Sequence, residues 1–564
     1  MSSPTIPYLR KTKTSSQLIV NGKPFLMLAA ELHNSSLSDA EYMRTVWPNM
    51  KAMNINTLLG SVTWEMIEPV EGKFEFAELD KVILDARSHD LHLVLLWFGS
   101  FKNALSTYVP GWVKTDIKRF PRVHVSESGA VTRTEELLSP FNPRAWEADA
   151  KAFAALMRHL NEFDAKYSTV VMIQVENETG LLGDSRDRSK IANKLFKEAV
   201  PKELIQHLQA QGSSLHPEFH KRFPGFQTLT AGASTWEEAF GKGPDSDEMF
   251  MANAFSTYVG KVAEAGKKEY PIPFYTNVWL NFDDPNQLDL QGLPTTVGGG
   301  ATAGIYPSGG AIGRTMDLWK FNTPALDFIS PDLYFHDYEE VCRQYTHQNQ
   351  PLFIPEQRRD EKGVRRVWLA YGSYAAMGCS PFGIDSVLEI DSPVTRHYGL
   401  LGSISKILLE KQATSPEDVM GFYFDEISET TTEKTWTRTF GEFKVIIDRA
   451  FVFGKAGPGA GLIIHQGSGK FLLVGWGFNV SFKSTKAGAT FTGILHAEEK
   501  TVDKDGNLRT ARVMNGDETR SGEFFIMPNE DPDYGGFPIA VTIPARTMIA
   551  ECTAYSVEEQ EEDF

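Results

Sequence analysis

The chain has 564 residues, of which 41% are hydrophobic and 23% charged, and its formal net charge is −17. This composition is ordinary for a globular protein, and the length allows two or three domains. The negative charge argues against nucleic acid or an anionic membrane surface as a partner, because both need a basic patch. Three cysteines without a Cys/His cluster predict neither a disulfide scaffold nor a metal site, and no cofactor motif is present.

The first 20 residues contain no apolar segment of signal-peptide length. No run approaches the roughly 18 apolar residues of a membrane span. We therefore expect a cytoplasmic location and no membrane partner, with unconventional secretion left open. Association into a homo-oligomer is left open as well.

Eight apolar runs alternate with helical patterns over the first two-thirds of the chain. The predicted strands are Pro24–His33, Asn56–Thr63, Leu91–Phe98, Ser168–Val175, Pro273–Trp279, Asp327–Tyr334, Pro351–Pro355 and Ala375–Ile384. The predicted helices include Asp39–Met53, with Ser38 as the N-cap and a kink or break at Pro48, Ala77–His89 and Ala145–Phe163.

Alternating strands and helices predict a parallel sheet, and runs that are apolar throughout indicate strands covered on both faces. We predict an α/β fold, a (β/α)₈ TIM barrel. The alternative is a doubly wound open sheet, which would need a glycine-rich turn after its first strand. Long connections at residues 99–144 and 180–269 follow strands three and four, on the catalytic face of a barrel. The second connection is expected to carry helices such as Ile191–Gln211.

From about Ser415 onwards, short β-type runs separated by turns replace this pattern, beginning with Gly421–Phe424 and ending with Ala540–Ile543. The prediction is therefore a catalytic barrel over residues 1–414 and an all-β, sandwich-like domain over residues 415–564. The last seven residues form an acidic tail.

Two acid-bearing segments end opposite strands of the predicted barrel. Glu176, Asn177 and Glu178 follow strand four, where strand alternation would point both glutamates to the same side. Glu356 ends strand seven. Strands four and seven lie across the barrel mouth, and two carboxylates about 5 Å apart are the geometry of a retaining glycosidase. Each segment alone also fits an ordinary polar strand end.

The segment Gln174–Gly180 resembles the Gln-Ile-Glu-Asn-Glu-Tyr-Gly signature of glycoside hydrolase family 35, the β-galactosidases of clan A. Residues 64–76 and 108–113 are similar to two further segments of that family, and the resemblance spans roughly residues 15–410. It implies that Glu178 is the general acid/base and Glu356 the nucleophile. It further implies that Asn177 contacts the sugar 2-hydroxyl and that Tyr334 donates a hydrogen bond to the nucleophile.

The chain departs from the family after strands one and three, and at Thr179, where the family has Tyr. In that family these segments read the sugar hydroxyls, so the resemblance makes Glu31, Lys102 and Asn103 candidate sugar contacts, with a rim position as the alternative for each. Trp64, Trp97 and Trp279 are candidate stacking platforms, or else core residues.

The predicted function is a retaining exo-β-glycosidase of the β-galactosidase type with a carbohydrate substrate. The alternatives are a retaining glycosidase for a glucoside, xyloside or galactofuranoside, and a catalytically silent carbohydrate-binding barrel.

Overall fold

The fold is described from a computed structural model. The structure describes residues 6–128, 131–290, 298–427, 434–450, 457–514, 516, 518–527 and 546–558. The chain divides into two compact units. The first comprises residues 1–10, 18–358 and 377–390, and the second comprises residues 11–17, 359–376 and 391–564.

The strands before residue 415 are β1 (Tyr8–Lys11), β2 (Ser16–Val20), β3 (Lys23–Pro24), β4 (Met27–Glu31), β5 (Thr57–Thr63), β6 (His92–Lys102), β7 (Arg122–Ser128), β8 (Val131–Leu138), β9 (Val170–Asn177), β10 (Phe274–Trp279), β11 (Phe328–Leu333), β12 (Phe353–Gln357) and β13 (Gly378–Pro381). Those after it are β14 (Val419–Phe424), β15 (Trp436–Phe440), β16 (Phe443–Arg449), β17 (Gly459–Gly467), β18 (Lys470–Trp476), β19 (Phe478–Ser484), β20 (Ala489–Val502), β21 (Leu508–Met514), β22 (Phe524–Met527) and β23 (Ile549–Glu558).

The helices are α1 (Ala40–Arg44), α2 (Trp47–Ala52), α3 (Trp64–Ile67), α4 (Ala77–Ser88), α5 (Gly111–Lys114), α6 (Pro143–Asp164), α7 (Lys190–Leu195), α8 (Lys202–Gln211), α9 (Pro217–Arg222), α10 (Trp236–Phe240), α11 (Pro244–Glu269), α12 (Met316–Asn322), α13 (Tyr338–Tyr345), α14 (Glu361–Ser373), α15 (Pro393–Ser403) and α16 (Ser405–Thr414). No helix in these described ranges is long and apolar enough to cross a membrane.

Eight parallel strands close into a barrel, in the order β4, β5, β6, β9, β10, β11, β12 and β13. Each of the eight predicted strands overlaps one of them, so the predicted TIM barrel is confirmed and the open sheet is wrong. Alternate side chains such as Val94, Leu96 and Phe98 of β6 fill the interior together with Met27 and Ala29 of β4. The next inward position on β4 is Glu31, at the carboxyl end of the strand.

Two predicted helices are interrupted. Residues 39–53 form α1 and α2, and Pro48 lies in the first turn of α2, where a missing N–H costs nothing. The N-cap of α1 is Asp39 rather than Ser38, because the Asp39 carboxylate accepts a hydrogen bond from Tyr42 N at 2.7 Å. Residues 191–211 divide into α7 and α8 because Pro201 disfavours helical geometry at the residue before it.

The second unit contains two antiparallel sheets. One has the order β14, β17, β18, β23, β20 and β21, and the other β15, β16, β19 and β22. Aromatic side chains join their inner faces, since the rings of Phe471 and Phe482 lie 4.9 Å apart and those of Phe422 and Phe478 4.8 Å apart. The predicted all-β C-terminal fold is therefore confirmed. The predicted strand Ala540–Ile543 and most of the acidic tail lie outside the described residues.

The second unit also includes α14, α15 and α16. Gly421 of β14 lets α14 approach closely, because a Cβ atom there would lie 1.9 Å from Trp368 O. A domain boundary between residues 414 and 415 stays a prediction.

Candidate active site

Two acid side chains meet at the mouth of the barrel. Glu178 directly follows β9 and Glu356 lies in β12, the fourth and seventh barrel strands. Both are buried, with 8% and 6% of their surface exposed. One carboxylate oxygen from each, and one from Asp332 of β11, all lie within 4.8 Å of one another. The two strands thus bring the acids close enough to act on one bond.

The surroundings of Glu178 favour its protonated form. Burial raises the pKa of Glu178 to about 7, and the charge of Glu356 adds to the rise. The Lys102 ammonium and a hydrogen bond with Asp332 act in the opposite direction. A carboxyl group with a pKa near neutrality can give up and recover a proton during a reaction. The environment of Glu178 therefore suits a general acid.

Glu356 has the opposite environment, because three hydrogen-bond donors surround its carboxylate. The Tyr334 hydroxyl donates to Oε2 at 2.8 Å. The amide nitrogens of Asn177 and Asn277 lie 3.4 and 3.5 Å from Oε1. Hydrogen bonds to a carboxylate stabilise its ionised form. This environment suits a nucleophile.

Lys102 sets the direction of the Asn177 side chain. Its ammonium donates to Asn177 Oδ1 at 2.9 Å and to Asn103 Oδ1 at 2.6 Å. An ammonium group can only donate, so the amide nitrogen of Asn177 must face Glu356. The Lys102 side chain is buried, whereas Asn103 is exposed.

The position of Lys102 depends on a bulge in β6. Trp97 pairs with Val175, and the next pair is Lys102 with Asn177, so five residues of β6 match two of β9. The extra residues of β6 bring the Lys102 ammonium beside Asn177, at the end of strand four. Bulges of this kind are common next to active sites, where they redirect side chains.

Glu176 points away from the acid pair. Its carboxylate accepts hydrogen bonds from Phe101 N at 2.6 Å and Ser100 N at 3.2 Å, both within the bulge, and it lies beside Asp149 of α6. Burial and the charge of Asp149 raise its pKa well above the usual value. The prediction that Glu176 and Glu178 share a side is wrong, because left-handed φ values of 60° and 44° at these residues break the strand alternation.

Glu31 is a buried acid at the carboxyl end of β4. Its side chain is 1% exposed, and neither carboxylate oxygen has a hydrogen-bond partner among the residues that the structure describes. Burial raises its pKa well above the usual value, the charges of Glu356 and Glu178 raise it further, and Lys102 opposes them. The charges that act on Glu31 are therefore those of the acid pair and of Lys102. Its role as a sugar contact stays a prediction.

Glu178, Asp332 and Glu356 are also the group whose oxygens could hold a cation. Hard cations such as Mg²⁺ and Ca²⁺ prefer carboxylate ligands. A cation there would bind both carboxylates of the acid pair. The expectation that no metal takes part stays a prediction.

Part of the barrel resembles a known protein family. Residues 17–245 match the model of the glycosyl hydrolases family 35. The matched part covers less than half of the chain, contains Glu178 and ends before β10, so Glu356 lies beyond it. Residues 394–526 match a domain of unknown function, DUF5597. A comparison with curated protein sequences gives no match.

Solved structures similar to this chain include the cold-adapted β-galactosidase from Rahnella sp. R3, with 16% identity, a TM-score of 0.43 and coverage of 69% of this chain and 57% of that one. The β-galactosidase from Bacillus circulans sp. alkalophilus has 14% identity, a TM-score of 0.42 and coverages of 70% and 57%. The catalytic domain of β-amylase from Paenibacillus polymyxa has 12% identity, a TM-score of 0.41 and coverages of 68% and 97%. The chain thus spans just over half the length of the two β-galactosidases.

Two of the three predicted stacking platforms lie in the core of the protein. Trp64 and Trp97 have no exposed surface. Their indole N–H groups donate to Glu68 and Asp149, each at 2.9 Å. A sugar ring cannot stack on a side chain whose faces are both covered, so Trp64 and Trp97 are corrected to core residues.

Trp279 differs from them. It is the last residue of β10 and is only half-buried. Strand β11 lies beside it, with Trp279 paired to Asp332. Trp279 stays a candidate platform.

Asn277 and Asp332 are site residues that the sequence reasoning missed. Asn277 Nδ2 donates to Asp332 Oδ2 at 2.7 Å, and Asn277 Oδ1 accepts from Glu178 N at 2.9 Å. Burial and the charge of Glu356 raise the pKa of Asp332 well above its usual value. A signal was present, because Asp332 precedes Tyr334 by two positions and alternation gives both the same face.

Proposed function

We propose that this protein is a glycoside hydrolase that removes a terminal β-linked sugar with retention of configuration, most simply a β-galactosyl residue. The proposal is carried by the acid pair, in which one oxygen of Glu178 and one of Glu356 lie within 4.8 Å of each other. Retaining glycosidases hold their carboxyl groups about 5–5.5 Å apart, whereas inverting enzymes leave room for a water molecule. The unequal surroundings of Glu178 and Glu356 support their division into acid and nucleophile.

In the first step, the Glu356 carboxylate attacks the anomeric carbon while Glu178 gives its proton to the glycosidic oxygen. The bond between the anomeric carbon and that oxygen breaks, and the leaving group departs as an alcohol. The sugar is then an ester of Glu356 with inverted configuration. The amide nitrogen of Asn177, held toward Glu356 by Lys102, is placed to meet the 2-hydroxyl.

In the second step, Glu178 is a carboxylate and acts as a base. It takes a proton from a water molecule, whose oxygen attacks the anomeric carbon and breaks the ester bond to Glu356. Glu178 returns to its protonated form and Glu356 to its ionised form. Two inversions give net retention.

The identity of the sugar rests on the family match, which favours galactose. A second candidate is a glucoside, xyloside or galactofuranoside, favoured by Glu31, Lys102 and Asn103. These residues stand at strands one and three, where the chain departs from the family's sugar-reading segments. A cytoplasmic location and self-association remain proposals as well.

A panel of aryl β-glycosides tests the proposal, with Glu356→Gln and Glu178→Gln as matched isosteric controls. We expect the wild type to hydrolyse one or more members and both variants to lose that activity. Proton NMR should show the β-anomer as the first product. Turnover that persists in Glu356→Gln, or an α-anomer formed first, would exclude the mechanism. No hydrolysis of any glycoside would favour the silent carbohydrate-binding barrel.

A further inference from the structure

Two further buried acids lie close to the end of strand four and take no part in the proposed chemistry. Asp149 of α6 and Glu176 of β9 have no exposed surface. A Cβ atom on Gly99 would lie 2.7 Å from an oxygen of each and 2.3 Å from the Trp97 indole nitrogen. The two carboxyl groups therefore meet over a glycine whose replacement would collide with both. We call Asp149 and Glu176 the inner carboxyl pair.

The inner carboxyl pair holds the bulge of β6. Because five residues of β6 match two of β9, backbone N–H groups of the bulge need acceptors outside the strand ladder. Asp149 accepts from Ser100 N at 3.0 Å and from the Trp97 indole N–H at 2.9 Å. Glu176 accepts from Phe101 N at 2.6 Å and from Ser100 N at 3.2 Å. The pair thus satisfies buried donors that would otherwise be costly.

One proton lies between the two carboxyl groups of the pair. Asp149 and Glu176 are hydrogen-bonded to each other, and ionised carboxylates can only accept, so one of them must carry the proton of this bond. Burial raises the pKa of both groups, and the bond between them raises that of Glu176 further while it lowers that of Asp149. Glu176 is therefore the donor and Asp149 the acceptor.

The bulge in turn contacts the residues that end strand four. Lys102 follows the bulge, and its ammonium donates to Asn177 Oδ1 at 2.9 Å. Asn103 N donates to Asn177 O at 3.3 Å. Ala104 N donates to Glu178 O at 3.2 Å. A displacement of the bulge would therefore reach both the side chain of Asn177 and the backbone of Glu178.

These contacts hold backbone conformations that the residues involved rarely adopt. Glu176 and Glu178 have φ values of 60° and 44°. Asn103 and Ala104 have φ values of 52° and 57°. Left-handed geometry is unfavourable for residues with a side chain and persists only where surrounding contacts impose it. The two facing segments therefore depend on the hydrogen bonds that fix the bulge.

We propose that the inner carboxyl pair is a positioning device for the reaction: it fixes the β6 bulge, and the bulge directs Lys102 at Asn177 so that the Asn177 amide faces Glu356. The inference rests on the proposed function. Because Asp149 and Glu176 are fully buried, they act through other residues and are positioning residues rather than catalytic ones.

The proton on Glu176 makes two substitutions of this residue differ. Glu176→Gln keeps a donor for Asp149 and an acceptor for Phe101 N, so kcat should stay within about threefold of the wild-type value. Glu176→Leu has neither and should lower kcat roughly 10–10²-fold with less than about a threefold change in KM, because a small misplacement of a reacting group costs that much. The substrate is the aryl β-glycoside that the panel identifies. Equal losses in the two variants, or a loss in neither, would overturn the proposal.

Asp164 provides the matched control for a purely structural effect. It is as buried as Asp149 and lies on the same helix, and it accepts from Val170 N at 2.7 Å at the start of β9, the end away from Glu178. Asp149→Leu and Asp164→Leu should both lower the thermal midpoint, but only Asp149→Leu should lower the kcat of the folded protein. A similar loss of kcat in both would assign Asp149 to stability alone and overturn the proposal.

A double-mutant cycle tests whether the pair acts through Lys102. Adding Glu176→Leu to Lys102→Met should change kcat by less than about threefold, because the two substitutions break the same chain of contacts. Losses that add in full would overturn this route.

Crystal structures of the variants give a readout that needs no activity. The Lys102 ammonium should leave Asn177 Oδ1 in Glu176→Leu and stay within hydrogen-bonding distance of it in Glu176→Gln. An unmoved Lys102 in Glu176→Leu would overturn the proposal. A Lys102 displaced only in Glu176→Leu, in a protein whose wild type hydrolyses no glycoside, would support the positioning role and overturn the proposed function alone.

Discussion

The ends of strands four and seven carry the same functional group in opposite surroundings. Glu178 is buried among acids, with Asp332 and Glu356 near it, and its pKa is raised to about 7. Glu356 is equally buried, but Tyr334, Asn177 and Asn277 direct donors at it. The comparison teaches that burial alone does not decide the role of a carboxyl group, because two equally buried acids have different neighbouring groups.

The largest expected effect comes from removing the strand-seven carboxyl. Glu356→Ala should lower kcat by roughly 10⁴-fold or more, because no group remains to form the covalent intermediate. Azide is small enough to enter the space left behind. It should restore turnover and yield the α-glycosyl azide, identified by NMR, since it attacks opposite to the leaving group. A β-glycosyl azide from this variant would reverse the two roles.

Removing the strand-four carboxyl should have a smaller effect that depends on the leaving group. Glu178→Gln should lower kcat/KM roughly 10²–10⁴-fold for substrates that need protonation. Aryl glycosides with very acidic leaving groups should lose less in the first step. The measurement is a series of aryl substrates of graded leaving-group acidity, and an equal loss across the series would contradict the assignment of Glu178 as the acid.

The pH profile tests the raised pKa of Glu178 directly. The acid must be protonated to act, so kcat/KM should fall as the pH rises through about 7. In Glu178→Gln, assayed with a substrate whose leaving group needs no protonation, this decrease in kcat/KM should be absent or shifted to another pH. A wild-type plateau extending beyond pH 9 would show that Glu178 does not control the alkaline limb.

Tyr334→Phe should lower kcat by roughly 10²-fold through its effect on Glu356 of strand seven. Loss of the hydroxyl removes the shortest hydrogen bond to Glu356, at 2.8 Å. Tyr338→Phe, which removes a hydroxyl bonded to Gln357, is the matched control and should leave kcat unchanged. An unchanged kcat in Tyr334→Phe would contradict the role of this hydroxyl at Glu356.

The smallest expected effect concerns the aromatic side chains. Trp279→Ala should raise KM about tenfold with a modest change in kcat, if a sugar stacks on its exposed face. Trp97→Phe should lower the thermal midpoint without a change in KM, because Trp97 is buried and bonds to Asp149. A raised KM in Trp97→Phe would contradict its assignment to the core.

The barrel could be predicted because its eight strands are apolar on both faces and therefore stand out as continuous runs. Glu178 and Glu356 followed from their places at the ends of two such runs. The split of residues 39–53 also followed from one residue, Pro48. These features depend on local chemistry, which the sequence displays directly.

The rest of the site could not be predicted, because it depends on contacts between residues that are far apart in the sequence. Alternation failed at Glu176 because a left-handed residue and the β6 bulge turn it toward Asp149. Asp332 resembled an ordinary acid at a strand end until β11 was placed between β10 and β12. Trp64 and Trp97 lie near strand ends, and only packing shows that they are covered.

The most direct test of the account is covalent trapping. A 2-deoxy-2-fluoro β-glycoside with a good leaving group, built on the sugar that the aryl panel identifies, should inactivate the enzyme and leave one sugar per chain. Peptide mass spectrometry should place that sugar on Glu356. A label on Glu178 or Asp332, or turnover of the parent glycoside with inversion and no label, would contradict the division of roles between strands four and seven.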